Sequence, residues 1–350
     1  MKMGSKYIHD EHVQRNRACM GGRKSREGTR RCPDRSPRGW NYVHDRADAM
    51  RRKIRHIRII INPAAGTGGS TLPTVNRFME EAGIKWDASI THETGDAVKF
   101  AKLAVKEGVD ALAVYGGDGT LMEAISGLIG SSVPVAILPG GSANVMAEEL
   151  GIPKDLRAAC ALMTQAPLAS KTIDVGQFGN RYFILGIALG LGAEIIKGAD
   201  RQTKNRIGAF AYLLSAAAAL KKTTKAVYDL TIDGQEHKVE GLTCIVANVG
   251  NLGFSNISYD KHIDVSDGLL DVLVVRKANL GLLKHVAVML LKRERPDNLE
   301  LVEHWQGKDI RVSSSPKQMI QCDGEVLKDM PLHIKIVPGA IKVLVPRKEG

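Results

Sequence analysis

Apolar positions along this chain change period in a regular order. Residues 57–61, 86–91, 109–115 and 133–138 are short runs of β-branched and apolar side chains, as in strands buried on both faces. Between them, apolar residues recur at helical spacing over 72–82 and 97–106, and again at Leu121, Met122, Ile125 and Leu128. Gly83 and Gly108 stand where the first two helices should end, and a further helix should end near Leu150 and Gly151. Strands alternating with helices through short loops predict a parallel sheet, with ligand-binding loops gathered at the strands' carboxyl ends.

Past about Thr172 the texture changes. Strand-like runs at 182–187, 227–232, 242–249, 269–275 and 319–322 come with turn signals such as Asp233-Gly234, which predicts a largely antiparallel β region. Residues 206–222 and 280–292 are apolar at helical spacing and read as core or cleft helices rather than membrane helices, because charge interrupts or closely flanks each. A strand at 341–345 should return to the first domain. The expected fold class is α/β: an N-terminal parallel α/β nucleotide-binding domain over 54–171, rejoined by 335–350, and a mostly antiparallel β domain over 172–334.

The candidate chemistry lies in the loops after the strands. Gly116-Gly117-Asp118-Gly119-Thr120 joins a strand to a helix, and glycines there can take positive φ and bring bare N–H groups to an anion at the helix N-terminus. Asp118 is informative, because a carboxylate beside phosphates needs a divalent cation or a transferring proton between them. Thr120 and Glu123 also have capping-box spacing, so a purely structural role for Glu123 stays open. Two more loops have phosphate-binding character: Asn62-Pro63-Ala64-Ala65-Gly66-Thr67-Gly68-Gly69, where Asn62 can bond local backbone, and Pro139-Gly140-Gly141-Ser142-Ala143-Asn144. Asp96 stands where it can cap the helix beginning at Ala97.

Taken in this order, the loops resemble the diacylglycerol-kinase catalytic domain, shared by bacterial lipid kinases and by sphingosine and ceramide kinases. More distant relatives, NAD kinases and phosphofructokinases, carry a similar GGDGT loop. The resemblance implies ATP and Mg²⁺ as cofactors and a nucleotide site formed by Asn62, Gly66, Thr91, Gly116, Gly117, Asp118, Gly119, Thr120, Glu123, Gly141, Ser142 and Asn144. Ser142 replaces the family's Thr and keeps its hydroxyl, and Gly95-Asp96-Ala97 matches a Gly-Asp-Ala found near the nucleotide. Val145 occupies a position often held by Asp. Asp264, Asp267, Gly268 and Leu269 resemble the family's Asp-Gly-Leu segment, which implies a structural magnesium at Asp264, Asp267 and Leu269; a simple turn into a strand is the alternative. Asp323-Gly324-Glu325 resembles the turn whose acid reaches across the cleft between the two domains, where the resemblance implies the active site, toward the hydroxyl to be phosphorylated. Asp118, Asp323 and Glu325 are thus the candidate catalytic residues, with the base either Asp323 or Glu325.

Composition adds limits. The chain has 350 residues, 44% hydrophobic and 25% charged, enough for one large or two medium domains with real cores. No apolar run reaches the roughly 18 residues of a membrane span, and the N-terminus lacks a secretory apolar centre, so a cytoplasmic protein is expected, with peripheral contact at the membrane's inner face. Cys19, Cys32, Cys160, Cys244 and Cys322 show neither a disulfide framework nor zinc spacing. Of the net charge of +11, residues 1–56 hold 16 Lys and Arg against 6 Asp and Glu. Residues 1–53 are therefore expected to be a disordered basic extension that can meet anionic headgroups, with Met50 as an alternative start. No aromatic-basic platform or finger motif points to nucleic acid. The functional expectation is an ATP-dependent kinase acting on diacylglycerol or a related lipid at the membrane surface, with homodimer formation open. The alternatives are a soluble small-molecule kinase of NAD-kinase type and a catalytically silent lipid-binding regulator.

Overall fold

The computed structural model describes residues 48–50, 53–66, 71–164, 167–190, 225–250, 263–276, 302–327 and 331–347. The helices expected at 206–222 and 280–292 lie outside these residues, as do Thr67 to Gly69, Cys19, Cys32 and the first 47 residues.

Four strands, β2 (His56–Ile61), β3 (Lys85–Ile90), β4 (Ala111–Gly116) and β5 (Val135–Pro139), run parallel in the order β3-β2-β4-β5. Ile57 lies opposite Ala111, and Leu112 opposite Val135. Helices α1 (Thr71–Ala82), α2 (Asp96–Glu107), α3 (Asp118–Leu128), α4 (Val145–Glu149) and α5 (Leu156–Ala161) connect or follow them. Every residue of β4 and β5 is buried, which is why both strands are apolar without alternation. Ile57, Ile59, Leu112, Ile125, Leu128 and Leu138 are fully buried in one core with Val75 and Met79 of α1. Each such large side chain contributes about 1.5–3 kcal/mol by leaving water.

The C-terminal half is antiparallel, but it does not form a wholly separate sheet. The long strand β17 (Leu332–Leu344) pairs parallel with β5 at Val343 and Val135, and antiparallel with β6 (Leu168–Phe178) and β14 (Asp309–Ser315). Its register shifts between Val337 and Ile341, where Gly339 takes φ +60°. Through β17 the parallel strands continue into β14, β9 (Ala226–Ile232) and β10 (Gln235–Gly241), giving an 11-stranded sheet. A second, six-stranded sheet follows the order β13 (Val302–Gly307), β12 (Leu270–Val275), β11 (Thr243–Ala247), β8 (Gly186–Gly190), β15 (Ile320–Cys322) and β16 (Glu325–Leu327). Phe183, Leu189, Tyr228, Val246, Val272, Ile310 and Ile334 from both sheets share the second core.

Three local expectations are corrected. Residues 182–187 are not one strand: β7 (Arg181–Phe183) ends before β8 begins, because the N–H groups of Ile184, Leu185 and Gly186 donate to the Asp323 carboxylate. The extension is not wholly without structure. Its residues Asp48–Met50 form β1, paired antiparallel with Ser170, Ala169 and Leu168 of β6. The capping box of Thr120 and Glu123 is not made either, since α3 begins at Asp118 with Gly117 as its N-cap residue. Among the described residues, no helix is long and apolar enough to cross a membrane.

Candidate active site

The carboxyl ends of β2, β3, β4 and β5 bring the three glycine loops together. Asn62 follows β2. Its N–H donates to the Tyr115 carbonyl at 2.9 Å, its Oδ1 accepts from Ala64 N–H, and its Nδ2 donates to Thr120 Oγ1 at 2.9 Å. Thr91, after β3, donates its N–H to the Ile61 carbonyl. Gly66 N–H donates to the Gly140 carbonyl at 2.6 Å, and Gly140 N–H donates to the Gly116 carbonyl at 2.9 Å. Asn144, in the left-handed region at φ 51°, closes the third loop by accepting from Gly141 N–H and donating to the Gly141 carbonyl. Ser142 and Gly119 are exposed at the rim.

The glycines serve here chiefly through the space they leave, which corrects the expectation of positive φ in the GGDGT loop. Gly117 has φ −91° and ψ −176°, ordinary extended backbone. A Cβ on Gly117 would lie 3.3 Å from Gly141 Cα, and one on Gly116 would press on Thr120. Two loops can therefore approach backbone to backbone only because neither carries a side chain at the contact.

Asp118 does more than stand in a surface loop. It opens α3, and its two oxygens accept from Val145 N–H and Met146 N–H at 3.1 Å, satisfying donors at the start of α4. Val145 itself is buried, so a carboxylate at that position would lie in the core. Burial raises the proton affinity of Asp118 against the pull of the Met146 and Val145 N–H groups. Glu123 reaches from α3 to accept from Gly95 N–H at 2.9 Å, pinning the loop after β3. Asp96 pins the same loop. It accepts from His92 and Glu93 N–H, and these bonds together with Lys99 lower its pKa to about 2, while Gly95 makes the N-cap position with no side-chain bond.

Asp323 arrives from the second sheet. It occupies the β15–β16 hairpin turn at φ 44°, followed by Gly324 at φ 97°, the paired positive φ of a type I′ turn. Its side chain accepts from Ile184, Leu185 and Gly186 N–H at 2.8–3.0 Å. Burial pushes its pKa up to about 6 against those three donors, and the negative charge of Asp118 adds to the rise. Glu325 lies at the surface: its side chain is 71% exposed and pairs with Arg181 at 3.8 Å.

A second acidic group precedes β12. Asp264 accepts from Ser266 N–H and Oγ and from Lys171 Nζ; these contacts outweigh burial and lower its pKa. Asp267 accepts from Leu269 N–H, yet burial, then Asp271, Asp264 and Asp174, push it up to about 6. Hard oxygen donors crowded by like charge suit a hard cation. Among the described residues, however, no three acidic, His or Cys side chains already form a metal cluster.

Residues 56–178 match the family described as the diacylglycerol kinase catalytic domain, and residues 186–345 match the YegS C-terminal NAD kinase beta sandwich-like domain. The chain belongs to the diacylglycerol-kinase catalytic-domain family. It is 28% identical over 298 residues to the diacylglycerol kinase of Staphylococcus carnosus, covering 84% of this chain and 96% of that one. It is 27% identical over 304 residues to that of Bacillus subtilis, covering 85% and 98%. A crystal structure of a candidate diacylglycerol kinase from Bacillus anthracis str. Sterne superposes with a TM-score of 0.70 at 26% identity, covering 84% of this chain and 99% of that one. The chain is thus a kinase of a lipid-kinase family.

In this kinase the structure gathers Asn62, Gly66, Thr91, Gly116, Gly117, Asp118, Thr120, Gly141 and Asn144 around the loops, buries Asp323 against the Ile184–Gly186 N–H groups and leaves Glu325 at the surface. Asp264, Asp267 and Leu269 form their own turn. Sequence reasoning missed Asp174, 2% exposed in β6, which accepts from Gly268 N–H and Gly339 N–H at 2.6 Å and so ties that turn to the bulge of β17. The available signal was an acid flanked directly by Ile173 and Val175.

Proposed function

We propose that this kinase uses ATP to phosphorylate a hydroxyl of diacylglycerol or a related lipid at a membrane surface. The observation that carries the reading is the convergence of three glycine loops around Asp118, held at the start of α3, with a second buried acid, Asp323, close enough for the charge of Asp118 to add to the rise of its pKa to about 6. The loops' bare N–H groups and the start of α3 suit the phosphate chain. Asp323 suits the acceptor side. As the acceptor oxygen bonds to the γ-phosphorus and the bond to the β-phosphate oxygen breaks, the hydroxyl proton passes to the Asp323 carboxylate and ADP leaves. A pKa near 6 keeps this carboxylate largely ionised at neutral pH while making it a stronger base than an ordinary Asp.

Magnesium would supply charge neutralisation at the phosphates and rigidity at the acidic turn, where Asp264, Asp267 and the Leu269 carbonyl would hold it. The basic N-terminal residues would favour an anionic bilayer, which is where such an acceptor resides. Purified protein should consume ATP only when a lipid extract is present. Consumption driven by NAD instead, or none with any addition, would overturn the reading.

A further inference from the structure

Tyr115 ends β4 one residue before the first loop glycine, and it is 7% exposed. Its ring lies between the other two loops. A Cβ on Gly140 would stand 3.1 Å from Tyr115 Cζ, and one on Gly66 would collide with the Tyr115 hydroxyl. The phenol therefore fits under Gly66 only because that residue has no side chain, and the Gly66 N–H bond to the Gly140 carbonyl closes both loops over the ring.

The hydroxyl has no hydrogen-bond partner among the described residues, where a phenol this deep ordinarily has one. The partnerless polar side-chain atoms sealed from solvent among those residues are Ser131 Oγ and Asn248 Oδ1. The Tyr115 hydroxyl is not one of them, so this oxygen beneath Gly66 is not sealed from solvent. A strand rich in Ala, Leu and Val gains nothing from a phenol over a phenylalanine unless that oxygen has a use.

We propose that Tyr115 is a further nucleotide-binding residue, its hydroxyl donating a hydrogen bond to an oxygen of the phosphate chain held by the glycine loops. The ring sets the hydroxyl's height and keeps the two loops apart at a fixed spacing. This assignment rests on the reading of the loops as a nucleoside triphosphate site.

The test is Tyr115→Phe, which keeps the ring and removes one oxygen. Binding of ATP, ADP and adenosine is measured by calorimetry for both proteins, with the melting temperature of each without nucleotide. A hydrogen bond to an anionic phosphate oxygen corresponds to a loss of about ten- to hundredfold. Y115F should bind ATP and ADP more weakly by that factor, bind adenosine unchanged and melt within a degree or so of the parent. Unchanged ATP affinity in Y115F, or an equal loss for adenosine, overturns the assignment while leaving the nucleotide site intact. A parent protein that binds neither ATP nor ADP overturns the kinase reading and this inference with it.

Discussion

Replacing Asp323 by Asn separates the structural and chemical roles of this carboxyl. In the folded protein its pKa is about 6, against an ordinary value of 3.8. The fold therefore binds this proton more tightly than the unfolded chain. The carboxyl contributes stability at low pH, and the contribution is lost as pH rises through about 6. Between pH 8 and pH 5 the wild-type chain should gain roughly 1–2 kcal/mol from this group that Asp323→Asn cannot gain. At pH 8 two effects oppose: the amide relieves an ionised buried carboxylate, but it cannot accept from all of Ile184, Leu185 and Gly186 N–H without facing one donor with another. The informative quantity is thus the change in the mutant's stability deficit with pH, read by urea unfolding at pH 8 and pH 5. Turnover with lipid should fall by about 10²–10⁴-fold while ATP binds almost normally, as expected when a general base is lost. The wild-type rate should decline below pH about 6. A deficit that is independent of pH, together with turnover within a few fold of wild type, would refute the reasoning.

Asp118→Ala should abolish nearly all phosphoryl transfer and also cost about 0.5–2 kcal/mol, because it frees the N–H groups of Val145 and Met146 at the start of α4; melting curves and turnover check the two effects separately. Gly117→Val should abolish nucleotide binding with a native circular dichroism spectrum, since its side chain would enter the gap to Gly141 while its extended backbone tolerates valine. A chain beginning at Met50 keeps only one residue of β1 and should lose about 1–3 kcal/mol from the pairing with Ser170 and Ala169, seen as a melting point lower by a few degrees. On vesicles, the same truncation should slow turnover only when the lipid is anionic, and added salt should erase the difference.

The parallel half of the fold was legible because its strands are buried on both faces and its helices end at glycines such as Gly108, at φ 68°. Asp233-Gly234 was equally plain, since a type I′ turn needs those residue types. What escaped depends on pairing at a distance. Glu236, His237 and Lys238 show no apolar alternation, yet they sit in β10 because β9 offers them a hydrogen-bonding edge. Asp48–Met50 is a strand for the same reason, although its neighbours in sequence read as a charged extension.

At the site, motif spacing located the loops but not what each side chain does there. Glu123 and Asp96 looked like helix caps, and both instead hold the 92–95 loop. The two acids flanking Gly324 could not be ranked firmly from sequence, because only the β15–β16 hairpin geometry turns Asp323 toward Ile184 and leaves Glu325 outside. Asp174 was invisible because the groups it joins, Gly268 and Gly339, lie far from it along the chain.

The measurement that bears most directly on the central claim is transfer of label from γ-labelled ATP to a panel of diacylglycerol, sphingoid base, ceramide, undecaprenol and NAD, with the labelled product identified by mass spectrometry. The account predicts label on diacylglycerol or another lipid hydroxyl, none on NAD, and none on any acceptor with Asp323→Asn. Label on NAD alone, or equal lipid labelling by the Asp323→Asn protein, would contradict it.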